Sequence, residues 1–137
     1  MAGSYVLDAC VAAKVLFEED GTPAARALVM AADRLIAPDL VVLEVANVAL
    51  KKVRQRLLAP ESAREVIDDV VGLYDRLVPS VELHALAMDV ALRTMVSSYD
   101  AIYVALALRQ SMTLVTADKR FAASLAGCKD VPEVMLI

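Results

Sequence analysis

Tyr5-Val6-Leu7-Asp8-Ala9-Cys10-Val11-Ala12-Ala13-Lys14-Val15-Leu16 decides the architecture. Three residues suited to a buried strand run into an acid, and Val11, Val15 and Leu16 then recur at helical spacing. The same order of strand, acid and helix appears twice more. Leu35-Ile36-Ala37 is closed by Pro38, with Asp39 as an N-cap for a long helix to about Leu57. Thr113-Leu114-Val115-Thr116 is followed by Asp118 and a short helix from Lys119 to Leu125. Short apolar strands alternating with helices predict an α/β fold around a mostly parallel sheet covered on both faces.

The remaining segments fit that plan. The first helix is expected to stop near Gly21, and Thr22-Pro23 supplies a cap and a first-turn proline for a helix to about Ala32. Pro60 opens another helix, in which Ala63, Val66, Ile67, Val70, Val71, Tyr74 and Leu77 make one broad apolar face before Pro79. Helices are predicted from about Leu83 to Met95 and from Tyr99 to Gln110, and Val134-Met135-Leu136-Ile137 as a last strand. No repeat or Pro/Gly-rich linker divides the 137 residues, so one domain, 1–137, is expected.

Composition removes several classes of function. Although 59% of residues are hydrophobic, no stretch approaches the roughly 20 uninterrupted apolar residues of a membrane span. The N-terminus lacks the pattern of a secretion signal, which makes the cytoplasm the expected location. Cys10 and Cys128 lack the paired spacing of a zinc site and are expected to be reduced. A net charge of -4 offers nucleic acid no global attraction, so any such contact needs a local basic patch or a bound cation.

Four carboxylates then stand where an acid is costly: Asp8, Glu44, Asp100 and Asp118 each interrupt or abut an apolar run. Taken singly, Asp8 and Asp118 are explained as N-caps, and Ser97-x-x-Asp100 reads as a capping box. Glu44 resists this, because it lies about one turn inside a helix, with Leu40 and Val48 a turn away on the same line. A buried ion pair with an arginine is its structural alternative. Asn47 and Lys51 continue a polar line along the same helix.

Topology can unite the four. In an open parallel sheet, the carboxyl ends of strands and the amino ends of the following helices share one edge, where ligands bind. Two carboxylates about 4 Å apart repel by roughly 4 kcal/mol at an effective dielectric near 20, so a cluster of four requires a cation. Oxygen donors without His or Cys favour Mg²⁺ or Mn²⁺ over zinc, and Mg²⁺ favours phosphate oxygens. The expected chemistry is metal-dependent phosphodiester hydrolysis.

Four segments in order, Tyr-Val-Leu-Asp-Ala at Asp8, Leu-Glu-Val-Ala-Asn at Glu44, Tyr-Asp-Ala-Ile-Tyr-Val-Ala-Leu-Ala at Asp100 and Leu-Val-Thr-Ala-Asp-Lys-Arg-Phe at Asp118, resemble the PIN-domain ribonucleases. The likeness is strongest to the small VapC-type toxins of toxin–antitoxin pairs. It implies a three-layer α/β/α domain with about five parallel strands and a Mg²⁺ or Mn²⁺ site that cleaves RNA to leave a 5′ phosphate. It also implies neutralisation by a cognate antitoxin, and a homodimer. By position, Asp8 and Asp100 would ligate metal directly, and Glu44 and Asp118 directly or through water. Thr116 matches the small polar residue of the last motif and Asn47 the amide after the glutamate. The family's first motif usually continues Asp-x-Ser or Asp-x-Thr, where this chain has Asp8-Ala9-Cys10. Cys10 is therefore expected to pack as a small hydrophobe beside the site, with loss of activity on oxidation as the sharper alternative.

Lys51, Lys52 and Arg54 near the end of the Glu44 helix, and Lys14 after Asp8, are candidate RNA contacts; a solvated helix end is the plainer account of the first three. His84, the sole histidine, reads as exposed and incidental, and Tyr99 and Tyr103 as core or rim packing. A haloacid-dehalogenase-like phosphatase would place a second acid where Cys10 stands. A phosphoacceptor receiver domain would pair acids near the first strand, which are not apparent. The non-enzymatic alternative is a PIN-like module that binds RNA or protein without cleaving, and all four acids being present argues against it.

Overall fold

The computed structural model of the chain describes residues 2–137. Strand β1 (Ser4–Leu7) is followed by helices α1 (Ala9–Leu16) and α2 (Thr22–Ala31), then β2 (Arg34–Pro38), α3 (Leu40–Arg54) and α4 (Pro60–Leu73). Strand β3 (Arg76–Val78) and a 3₁₀ turn (Ser80–Glu82) lead to α5 (His84–Thr94) and α6 (Ser98–Gln110). Strand β4 (Thr113–Thr116), helix α7 (Lys119–Leu125) and β5 (Val134–Leu136) complete the chain.

The five strands form one sheet in the order β3-β2-β1-β4-β5, with every neighbouring pair parallel. From β1 the chain steps outward to β2 and β3, then crosses back to lay β4 on the other side. The strand order reverses between β1 and β4, where the connections diverge and open a crevice at the carboxyl ends of the strands. Helices α1 to α4 pack among themselves, α6 lies across β1, β2 and β4 with α5 on its outer side, and α7 rests on β4 and β5. The result is a three-layer α/β/α domain.

Burial explains why these segments hold. Leu35–Pro38 and Tyr5–Leu7 are covered on both faces, as central parallel strands are. In α6 every residue from Ala101 to Ala107 is buried, so apolar side chains all round the helix match a position in the middle of a layer. Helix α4 is covered less fully than its apolar face predicts: Val66 and Val70 are buried, whereas Ile67 and Val71 remain exposed. No helix of the described residues is long and apolar enough to cross a membrane.

Four local expectations are corrected by tertiary contacts. Helix α4 ends at Leu73 rather than running to Leu77, and Arg76–Val78 is an edge strand. Tyr74 is extended, its hydroxyl donates to Leu7 O (2.9 Å), and Asp75 exchanges two 2.8 Å bonds with the Leu35 backbone. Tyr74 and Leu77 fell on helical spacing by coincidence, and a strand of three residues is too short to show alternation. Helix α1 stops at Leu16, short of Gly21. The reason is Thr22, whose buried hydroxyl reaches the carbonyls of Lys14 (2.7 Å) and Phe17 (3.0 Å) and accepts from Glu19 N (3.0 Å). Thr22 thus closes α1 instead of capping α2, whose N-cap is Gly21 at φ +92. Asp39 likewise makes no cap bond to α3; its carboxylate accepts from Ser80 N (3.0 Å) and ties the start of α3 to the turn after β3.

Candidate active site

Asp8 is the first residue past β1, and its amide still donates to Val115 O (3.1 Å), so it is anchored to the end of the sheet. Its Oδ1 accepts from Val11 N (3.1 Å) at the start of α1 and from the Cys10 thiol (2.8 Å). Asp118 lies two residues past β4, and its Oδ1 accepts from Arg120 N (2.9 Å) and Phe121 N (3.0 Å) at the start of α7. Both are N-caps, and because β1 pairs directly with β4, both caps flank the reversal of strand order.

Cys10 and Thr116 join these two turns. Ala117 N donates to the Cys10 sulfur (3.3 Å), which lies 3.6 Å from the Thr116 hydroxyl, and that hydroxyl accepts from Asp118 N (3.0 Å). Burial and the neighbouring Asp8 charge push the Cys10 thiol up to about 12, so at neutral pH it is a neutral donor and not a thiolate nucleophile. Cys10 therefore does more than pack, and its surroundings disfavour the reactive form that ready oxidation requires.

Glu44 and Asp100 reach the site on helices from different layers. Val41 and Val45 on either side of Glu44 are fully buried, and the half-buried Glu44 carboxylate accepts from the Tyr103 hydroxyl through Oε1 (2.6 Å). A phenol from α6, not an arginine, is the group that holds it. Asp100 stands in the first turn of α6, where its amide donates to Ser97 Oγ (3.1 Å). The serine half of the capping box forms, and the Asp100 carboxylate makes no return bond to the Ser97 amide among the described residues. Tyr103 is three residues on from Asp100, hence on the same side of α6.

The electrostatics tie the four acids into one cluster. Burial raises the Asp8 carboxyl above its ordinary range, against hydrogen bonds that lower it, and the Asp100 charge adds to the rise. Glu44 is raised chiefly by burial and further by the charges of Asp100 and Asp8, while the Tyr103 bond opposes. Asp100 is raised by burial and then by the Asp118 charge. None of the four is paired with a lysine or arginine among the described residues.

The donor chemistry is oxygen throughout, which suits a hard divalent ion. The bonds from Tyr103, Val11, Arg120 and Phe121 all fall on one oxygen of each carboxylate, leaving a second oxygen on Asp8, Glu44 and Asp118 for a ligand. Among the described residues no three His, Cys, Asp or Glu side chains converge tightly enough to enclose an ion. Bound there, a Mg²⁺ ion would take one or two of these carboxylates and complete its shell with water and phosphate oxygens.

A cleft of about 520 Å³ has Asp118 in its wall, with Cys10, Lys14, Lys51 and Lys52, while Asp8, Glu44 and Asp100 do not line it. Three of the four candidate RNA contacts are thus brought beside Asp118, whereas Arg54 is exposed and lines none of it. Asn47 is exposed and makes no hydrogen bond to Glu44 among the described residues. His84 lines a separate groove with Met88 and Tyr99. Sequence reasoning missed the roles of Tyr103 and Tyr74. Tyr103 could have been found from its three-residue spacing to Asp100; Tyr74 carried no comparable signal.

Known proteins share this fold. The PIN domain profile matches residues 5–124. Ribonuclease VapC3 of Pyrobaculum aerophilum is 32% identical over 119 residues, covering 85% of this chain and 91% of that protein. The crystal structure of Mycobacterium tuberculosis VapC20, described as a sarcin-ricin loop cleaving toxin, superposes with a TM-score of 0.69 at 19% identity, over 94% of this chain and 99% of that one. VapBC2 of Rickettsia felis, solved bound to a DNA fragment from their promoter, gives 0.68 at 12% identity over 100% and 99%. Since the matched stretch runs from β1 into α7 and takes in all four acids, the chain belongs to the PIN domain family.

Proposed function

We propose that this chain is a VapC-type endoribonuclease toxin that hydrolyses RNA phosphodiester bonds with Mg²⁺ or Mn²⁺ at Asp8, Glu44, Asp100 and Asp118. The observation that carries this is the unpaired carboxylate cluster, in which burial and mutual repulsion raise Asp8, Glu44 and Asp100 with no lysine or arginine paired to them among the described residues. Such a group is stabilised by an external cation. A relative at 32% identity named as a ribonuclease supports RNA as the substrate.

Asp8 and Asp100 are the proposed direct ligands, with Glu44 and Asp118 bound directly or through water. When bound, the metal lowers the pKa of its water and offsets charge on the departing oxygen. The chain's own residues do the rest. Tyr103 holds one oxygen of Glu44, and Cys10 and Thr116 fix the two turns that carry Asp8 and Asp118. A carboxylate accepts the proton of the attacking water, and lysines of the adjoining cleft attract the RNA backbone.

A cognate antitoxin is the proposed protein partner and a second copy the proposed subunit, both acting in the cytoplasm. The uncovered apolar side chains of Met30, Ile67 and Val71 offer surface for such contacts. The decisive measurement is RNA cleavage with Mg²⁺ or Mn²⁺ by the wild type beside Asp8→Asn and Asp100→Asn. Cleavage should fall on the order of 10²-fold or more in each variant, and vanish in EDTA. Equal activity in all three proteins would overturn the proposal, and absence of both cleavage and cation binding would leave a PIN-like binding module.

A further inference from the structure

Glu19, in the loop between α1 and α2, places one carboxylate between two ammonium groups in the wall of the 520 Å³ cleft. Its Oε1 lies 3.4 Å from Lys14 Nζ on α1, and its Oε2 lies 3.9 Å from Lys52 Nζ on α3. Both separations are at the long end for an ion pair, so neither lysine is strongly satisfied by Glu19. Each is also held independently of it. Lys14 donates to Asp20 O (2.7 Å), and its stem lies close against Gly21, where a Cβ would meet Lys14 Cδ at 3.1 Å. Lys52 sits over the Phe17 ring, 5.1 Å from its centroid. The loop carrying Glu19 is fastened in turn by the buried Thr22 hydroxyl. Two cations are thus preset by other contacts, with one acid bridging them loosely.

We propose that Lys14 and Lys52 form a seat for one backbone phosphate of the nucleic acid, and that Glu19 occupies it in the free protein and is displaced when the substrate binds. This rests on the ribonuclease reading only for the identity of the anion. Cys10 and Asp118 line the same cleft, so a phosphate in this seat holds the adjoining backbone beside Asp118. Lys51 adds a third positive charge along the same wall. Because Glu19 is tethered, it competes with every incoming phosphate and weakens indiscriminate binding of polyanions. A substrate with further contacts overcomes it.

The test is equilibrium binding of a labelled single-stranded RNA and, separately, of tripolyphosphate, to the full chain in EDTA. Glu19→Gln should tighten both by about two- to five-fold at low salt, a gain that fades as salt rises. Glu18→Gln removes the same charge from the exposed neighbour that pairs with Arg26 at 2.7 Å, and should change affinity far less. Lys52→Met should weaken binding, and adding Glu19→Gln to it should recover less than Glu19→Gln gains alone. No tightening in Glu19→Gln, or equal tightening in Glu18→Gln, overturns the seat. Glu19→Ala, which also removes the charge, guards against a local misfold peculiar to the glutamine. Metal-dependent RNA cleavage with no effect of Glu19→Gln would sink the seat and leave the ribonuclease standing. Tighter tripolyphosphate binding without RNA binding or cleavage would do the reverse.

Discussion

Asp8 and Asp118 are held by the turns they stand in, whereas Glu44 and Asp100 are brought to the site by helices from opposite layers. In the first pair, Oδ1 accepts from amides two or three residues along the chain, and one apolar strand followed by one helix suffices to place the acid. In the second, Glu44 depends on a phenol 59 residues away in sequence, and nothing in its own helix would hold its carboxylate. The contrast teaches that half of the cluster comes with the sheet edge, while the other half exists only once α3 and α6 have closed over it.

The sharpest way to break this comparison is Tyr103→Phe, which removes a single hydroxyl. Groups that orient a metal-binding residue commonly contribute 10–100-fold, so kcat should drop by about that factor while RNA affinity in EDTA is unchanged. Full activity in Tyr103→Phe would show that Glu44 needs no support from α6. Next in size, Asp118→Ala should lose about 1 kcal/mol of stability in EDTA through the lost cap, whereas Glu44→Gln should be neutral or stabilising. Urea unfolding distinguishes them, and an equal loss in both would erase the distinction.

The pH dependence sharpens the same point. Asp8, Glu44 and Asp100 are raised in the folded state, so folding takes up protons as pH rises past the unfolded values of 3.8 for the aspartates and 4.5 for the glutamate. Stability in EDTA is then fully present below those values and falls as pH climbs through the folded ones. Melting temperatures measured from pH 4 to 7 should show this decline, smaller in Glu44→Gln and countered by Mg²⁺; a rise in stability across the same range would contradict it. The smallest effect is expected from Cys10→Ser, which keeps a donor to Asp8 and should stay within about threefold of wild-type cleavage, whereas Cys10→Ala should fall further.

Legibility in the sequence followed the same divide. Tyr5-Val6-Leu7-Asp8 and Thr113 through Asp118 could be read because strand, acid and helix lie within a few residues of one another, and local chemistry names the cap. Glu44 could be singled out because an acid among Val41, Val45 and Val48 has no local excuse, but not what holds it. Strand β3 was hidden because Tyr74 and Leu77 imitate helical spacing, and its pairing partner, β2, lies some 40 positions earlier.

From the sequence alone came the alternation of strands and helices, the capping role of Asp8 and Asp118, and the candidacy of four acids for one site. These rest on spacing and on the cost of burying charge, which do not depend on distant partners. Only the tertiary structure decided that β1 and β4 are neighbours, that Tyr103 reaches Glu44, and that Glu19 bridges Lys14 and Lys52. Contacts of that kind depend on how the helices cross the sheet, and a one-dimensional pattern carries no record of it.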